Sequence, residues 1–430
     1  MTPGVHPILT LLWLPLLVGL QSIPGTGALR TLLLLLGVAH ILWWRTRSRP
    51  QFGTVHGGVE GWLFLALSTW LLIQATLISS SPEASLAQWA DEWLKLLLMA
   101  LIGINIARLH AHTPSWLITA LFAGVFLHVI STLGLQLLSW IRGGGLIYGD
   151  SLLGNYGYAS PFTTATFAWL LADVACRLWH KQRLLPWPTA ATVIFLVATL
   201  AAEMLLRAKA AQVMIAVLIC VVLAIFLLYG KIRQKVILSA FPFLVLAAAI
   251  VFYTGSDRWE GASESIRLAW AGPIDKQTLT GSDDPSAKVN RVEQSFYLRM
   301  IWARTGLEGV ADHPLGLGYG ADAFGRYVHE RFGISGMVSS HSGWIDFALA
   351  NGIVGLVLFL AFAAALVRRG WLSFLTGSPA GAALALLVIH FVGRALIDGN
   401  LAGSRLTGFA LLAGALWAMC AMQKNATRPD

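Results

Sequence analysis

His341, Arg207, Arg394 and Asp398 stand inside or at the mouths of long apolar runs. An ionisable side chain at the centre of a membrane helix costs at least about 2.5–3.5 kcal/mol, so such groups are functional candidates by default. His341 follows Ser339 and Ser340 and opens the run SGWIDFALANGIVG. A helix N-terminus lowers a histidine pKa through the positive end of its dipole. A neutral imidazole there would accept a proton from a hydroxyl at neutral pH. The bland alternative is an interfacial histidine that only caps or snorkels.

Arg207 lies in EMLLRAKAAQ, with Glu203 one turn before it and Lys209 two residues after. Its planar fork suits phosphate oxygens; alternatively it pairs with Glu203 at i, i+4 and closes a hairpin. His390, Arg394 and Asp398 follow at i, i+4 and i+8, which places all three on one helical face. That face should turn to a bundle interior, where Asp398 would orient Arg394 or His341, or form a plain ion pair with Arg394. Arg299 and Arg304 sit in SFYLRMIWARTG, on an amphipathic part of a long polar stretch. Either would reach over a membrane mouth; a solvated face is the ordinary fate of such arginines.

Other signals carry less. Gly316, Gly318 and Gly320 follow no parallel strand, so they read as a sharp turn with close backbone approach rather than a nucleotide loop. Asp283 and Asp284 precede Pro285 without a histidine partner, and His313, His329 and His341 have no zinc spacing. We therefore expect no metal and no cofactor. Cys176, Cys220 and Cys420 lie in or beside apolar segments, with no disulfide framework.

The elements that must position these residues are membrane helices. Of 430 residues, 57% are hydrophobic and 12% charged, against roughly 25% charged in soluble domains. Twelve apolar runs, near 7–23, 29–44, 61–80, 93–107, 115–140, 161–178, 187–206, 210–229, 236–254, 343–367, 380–398 and 401–421, predict an all-α polytopic protein of about 12 transmembrane helices. Residues 1–254 hold spans one to nine, 255–342 a long loop with amphipathic helices, and 343–430 the last three spans and a tail. Within the loop, 263–270 and 292–310 read as helices and 272–285 as irregular, while 81–93 reads as a short interfacial helix with Trp89 and Trp93 at headgroup level. Most of the 18 tryptophans read as interfacial anchors, with one or two free to stack on sugar rings.

The net charge of +9 does not point to nucleic acid, because the basic residues lie between the spans. Fourteen fall in one set of alternate loops and the tail: Arg45, Arg47, Arg49, Arg108, Arg177, Lys181, Arg183, Lys231, Arg233, Lys235, Arg368, Arg369, Lys424 and Arg428. The opposite short loops hold six: Arg30, Lys95, Arg142, Arg207, Lys209 and Arg405. The richer side should be cytoplasmic, with both termini there and the 255–342 loop outside.

Across 296–355 the sequence resembles the O-antigen ligase and polymerase superfamily of membrane glycosyltransferases. The carriers are Arg299 followed by Trp302, then HPLGLGYG from His313 to Gly320, then HSGWIDFALANGIVG from His341 to Gly355, with Gly352 and Gly355 in register. The family also carries an arginine near a middle span, where Arg207 falls, although here Leu206 precedes it in place of the usual Ser. The nearest fit is to the ligases that join O-antigen to the lipopolysaccharide core, whose twelve-helix layout spans the chain.

The resemblance implies an undecaprenyl diphosphate-linked O-antigen donor, a lipid A–core acceptor, and an inverting, metal-independent transfer at the periplasmic face of the bacterial inner membrane. It implies His341 as general base and Arg207, Arg299 and Arg394 on the diphosphate, with Asp398, Lys209, Arg304 and His390 in support. Both lipid substrates would enter sideways from the bilayer. An O-antigen polymerase or a protein O-oligosaccharyltransferase shares the same motifs. A transporter would instead show discontinuous helices, polar groups at the midplane and two related halves, whereas the polar candidates here gather on one side.

Overall fold

The protein was described from a computed structural model that covers residues 5–47, 58–229, 261–281, 293–320, 322–399 and 401–426. These residues form an all-helical bundle whose only strands are two paired dipeptides, Asp150–Ser151 (β1) and Gly154–Asn155 (β2).

The first half contains α1 (Val5–Gly19), α2 (Gly27–Arg47), α3 (Gly58–Ile73), α4 (Pro82–Leu109), α5 (Pro114–Ile141), α6 (Tyr156–His180), α7 (Thr189–Leu206) and α8 (Lys209–Tyr229). Loop helices α9 (Ala262–Ala271), α10 (Lys276–Thr280), α11 (Gln294–Asp312) and α12 (Ala323–Phe332) follow. The chain ends with α13 (Gly343–Leu375), α14 (Pro379–Ala395) and α15 (Gly403–Ala426). Proline opens α4, α5 and α14, where its missing N–H costs nothing and its fixed φ suits the first turn.

Seven of the described helices are long and apolar enough to cross a membrane, so this is a multi-pass membrane protein. Eleven of the twelve apolar runs coincide with helices; the ninth, 236–254, lies outside the described residues, as do Asp283 and Asp284. The α1 and α14 helices are apolar but shorter. The α4 and α6 helices are long but polar, and both turn polar residues inward: Ser85 on α4, and Ser160, Thr163, Thr164 and Thr166 on α6, are buried.

Three local expectations change. Residues 81–93 are not a separate interfacial helix but the first half of the continuous α4, and Trp93 is buried and donates Nε1–H to Ser68 Oγ at 3.1 Å. The 272–285 stretch contains α10, started by a capping box in which Asp275 and Thr278 bond each other's backbone N–H. The α14 helix stops at Ala395, so Asp398 lies in the turn beyond it rather than on the helix.

The most constrained backbone lies where α13 is interrupted. Gly352 has φ 72° and ψ 171° inside that helix, a region open essentially to glycine alone. Non-helical backbone at membrane depth must be satisfied by protein. Here the 313–320 loop supplies the partners: Leu317 N–H donates to Leu349 O at 2.8 Å and Ile353 N–H to Pro314 O at 2.9 Å. Trp70 Nε1 and Gln74 Nε2 donate to Asn351 O at 2.7 and 3.1 Å. The glycine run is thus the close approach its spacing predicts, since a Cβ on Gly316 would stand 2.5 Å from Gly352 N.

The loop helices share a second apolar core, with Tyr297, Ile301, Phe324 and Val328 packed around Leu349 and Ala350 of α13. Gly306 lets α11 lie against α13, for a Cβ there would come 2.4 Å from the Ile345 side chain.

Candidate functional site

One end of the bundle gathers segments from across the chain. The α6–α7 pair, the α7–α8 turn, α11 and the turns flanking α13 and α14 meet there through specific contacts. Lys209 Nζ pairs with Glu293 Oε2 at 3.0 Å. Gly343 N–H donates to Asp398 O at 3.2 Å, and Arg405 Nη2 to Gly157 O at 2.6 Å.

His341 is held in a turn, just before α13. Its φ is +61°, a left-handed conformation rare outside glycine. Its backbone N–H donates to Ser339 Oγ at 3.0 Å. Ser339 Oγ in turn donates to Asp346 Oδ2 at 2.7 Å, and Ser340 N–H to Asp346 Oδ1 at 2.9 Å. The first turn of α13 therefore anchors the loop that presents the imidazole. The residue is partly exposed, and its ring is covered on one face by Trp302, with centroids 5.1 Å apart and planes 19° from parallel. Burial first, and then the Arg299 charge, hold the His341 pKa below its ordinary 6.5, while Asp398 pulls it up. The sequence argument assigned that lowering to a helix dipole; burial and a neighbouring guanidinium are the causes found.

Arg299 is half-buried on α11 and electrostatically coupled to both His341 and Asp398. Asp398 accepts from Arg394 Nε at 3.1 Å and faces Arg405 Nη1 at 3.5 Å. Burial pushes the Asp398 carboxyl upward, but Arg394, Arg405 and Arg299 together hold it below its usual range.

Arg394 is 1% exposed. Besides Asp398, its Nη1 donates to Ser160 Oγ at 3.1 Å and Thr164 Oγ1 at 3.2 Å. The same two hydroxyls donate to Glu203, at 3.1 Å from Ser160 and 2.8 Å from Thr164. Glu203 thus faces inward rather than pairing with Arg207, and a buried polar network ties α6, α7 and α14 together.

Arg207 ends α7 in a left-handed turn, φ 53°, with its N–H on Glu203 O. Its guanidinium lies 3.9 Å over the ring of Tyr148. Tyr148 comes from the 142–155 segment, which the β1–β2 hairpin folds back on itself and which Gly149 N–H anchors to Leu205 O at 2.9 Å.

His341, Arg299, Asp398 and Arg394 come together. Arg207 and Lys209 lie at the same end, joined to α11 through Glu293. Arg304 points elsewhere: its Nη1 donates to the carbonyls of Ala269, Trp270 and Gly272, and its Nε faces Glu308 at 3.5 Å, so it fastens α9 to α11. His390 lies deeper, 2% exposed, with Nε2 on Pro161 O at 3.0 Å. Sequence reasoning did not single out Tyr148, Ser160, Thr164 or Arg405. The hydroxyl run SPFTTAT inside an apolar span was the available signal for two of them.

The description "O-antigen ligase" belongs to the family model that matches residues 194–360. Over that stretch the chain is similar to the O-antigen ligase family. The match runs from α7 into α13, so it includes Arg207, Lys209, Arg299, Arg304 and His341, and leaves His390, Arg394 and Asp398 beyond its end. No curated protein matches the chain. Residues 194–360 are thus similar to glycosyl-transferring membrane enzymes of O-antigen ligase or polymerase type.

Proposed function

We propose that the protein transfers O-antigen polysaccharide from undecaprenyl diphosphate to a sugar of lipid A–core, at the periplasmic face of the bacterial inner membrane and with both termini cytoplasmic. The observation that carries this reading is the grouping of one neutral-leaning imidazole, His341, with the half-buried guanidinium of Arg299 at the end of a membrane bundle.

The acceptor hydroxyl oxygen attacks the anomeric carbon of the donor. A bond forms between them as the bond from that carbon to the diphosphate oxygen breaks. The hydroxyl proton passes to His341, and the electron pair leaves on the diphosphate. One displacement inverts the anomeric centre. Arg299, with Arg207 and Lys209, meets the departing charge; fixed cations aimed at developing charge are often the largest catalytic contribution. Asp398 tempers the field around His341. Arg394, buried with its Nε on Asp398 and its Nη1 on Ser160 and Thr164, acts by positioning Asp398 rather than by reaching phosphate itself. The donor is already activated by its phosphate ester, so the reaction calls for no nucleotide and no metal.

The test is reconstitution of purified protein with undecaprenyl diphosphate-linked glycan and lipid A–core, with chelator and without nucleotide. Glycan on lipid A–core, lost in His341→Ala at equal protein level, supports the reading. Lengthening of the donor glycan without lipid A–core would make the protein a polymerase. Glycan on protein would make it a protein oligosaccharyltransferase, and transfer that survives His341→Ala would remove the base.

A further inference from the structure

A chamber with a mixed polar and apolar lining lies against the His341 loop. It encloses about 120 Å³ between α4, α13 and the start of α15, and is lined by Ser339 and Gly343, two residues to either side of His341. Its polar wall is Glu92, Tyr319, Asp346 and Asn351, and Trp93 and Phe347 supply aromatic surface. No Lys or Arg lines it among the described residues.

Three observations set the chemistry. The wall offers acceptors. Glu92 receives Tyr319 OH at 3.3 Å and Gln88 Nε2 at 3.5 Å, and Asp346 receives one bond at each oxygen; a carboxylate has about four lone-pair sites, so both keep free capacity. Asn351 is 3% exposed, and its amide oxygen has no hydrogen-bond partner although its nitrogen donates to Phe347 O at 3.1 Å. Two carboxylates in a lining without Lys or Arg disfavour a diphosphate, which the guanidinium side of the loop attracts. A ligand with many hydroxyl donors and apolar C–H faces suits acceptor oxygens beside aromatic rings.

We infer that this chamber receives the acceptor sugar ring, uncharged and hydroxyl-rich, with Glu92, Asp346 and the Asn351 amide oxygen taking its hydroxyl protons and one hydroxyl presented to His341. The inference rests on the glycosyl-transfer reading and divides the site. The donor's diphosphate lies on the arginine side of the His341 loop and the acceptor's sugar on the carboxylate side. The division keeps the leaving charge away from the nucleophile.

The experiment measures binding of purified full-length protein to lipid A–core and to lipid A stripped of its outer core sugars, with no donor present. Wild type, Glu92→Gln and Asn351→Leu are compared, and donor KM is measured in parallel. The expected result is a wild-type preference for the sugar-bearing lipid of at least about tenfold, reduced to within about twofold in both variants, with donor KM unchanged. A wild type without preference, variants that keep it, or parallel loss of donor affinity in both variants overturns the assignment. If wild type prefers the core sugars yet forms no glycan product, the transfer reading fails and the chamber stands as a sugar site. If product forms and the variants keep the preference, the chamber assignment fails alone.

Discussion

Asp398 binds Arg394 through Oδ2 at 3.1 Å, and only the aspartate side of this pair reaches toward the mouth, with side-chain exposures of 1% for Arg394 and 23% for Asp398. Beneath them Ser160 and Thr164 accept from the guanidinium and donate on to Glu203. Removing one partner of a buried, hydrogen-bonded ion pair strands the other and costs about 3–5 kcal/mol. Arg394→Leu should therefore lower the melting temperature in detergent and the protein level. A variant with wild-type thermal stability would show that the network does not hold α6, α7 and α14 together.

His341→Ala should cut glycan transfer by about 10²–10⁴, the usual contribution of a positioned base, with melting temperature and donor binding preserved. His341 hydrogen-bonds the loop through its backbone N–H, and its ring only stacks on Trp302, so the fold should tolerate its loss. The check is product formation at matched protein amounts.

A base must be neutral to work, so activity should be full above the His341 pKa and fall as pH drops through it. Burial and Arg299 place that pKa below 6.5, so the acid limb of kcat/KM should be centred below that value. Arg299→Gln removes a lowering charge and should move the limb up. Asp398→Asn removes a raising charge and should move it down. Equal limbs in all three proteins would show that another group titrates.

Arg207 separates backbone from side chain. Its φ of 53° suits glycine, and the left-handed region costs other residues roughly 1–2 kcal/mol. Arg207→Gly should leave stability intact or slightly improved while transfer falls. Arg207→Lys, which keeps charge without the fork, should restore part of the activity if the role is electrostatic and none if it is bidentate. Equal activity in all three proteins would exclude Arg207 from the site.

At Gly352 the backbone itself leaves no room. A Cβ there would lie 2.6 Å from the Leu315 carbonyl, whereas at Gly333, also left-handed, it would meet nothing within 4 Å. Gly352→Ala should displace the 313–320 loop and abolish monodisperse protein on size exclusion, and Gly333→Ala should pay only local strain of about 1–3 kcal/mol.

The sequence by itself determined the bundle. Apolar runs of spanning length have one stable answer in lipid, so eleven of them are found as helices. It also marked His341 and the arginines, because ionisable groups beside such runs stand out by cost alone. It could not say which arginine faces the mouth. Arg299 and Arg304 share one amphipathic stretch and Arg394 lies in an apolar run, but only the structure shows that Arg299 acts on His341, Arg304 clamps three loop carbonyls and Arg394 is sealed beneath Asp398. Those fates depend on partners far along the chain. Ser160 and Thr164 stand 234 and 230 residues from Arg394, and helical periodicity reports the face a side chain takes but not what another helix brings to it. The break at Gly352 was likewise hidden, since α13 reads as one apolar run until Pro314, Leu317 and Gln74 arrive to satisfy its opened backbone.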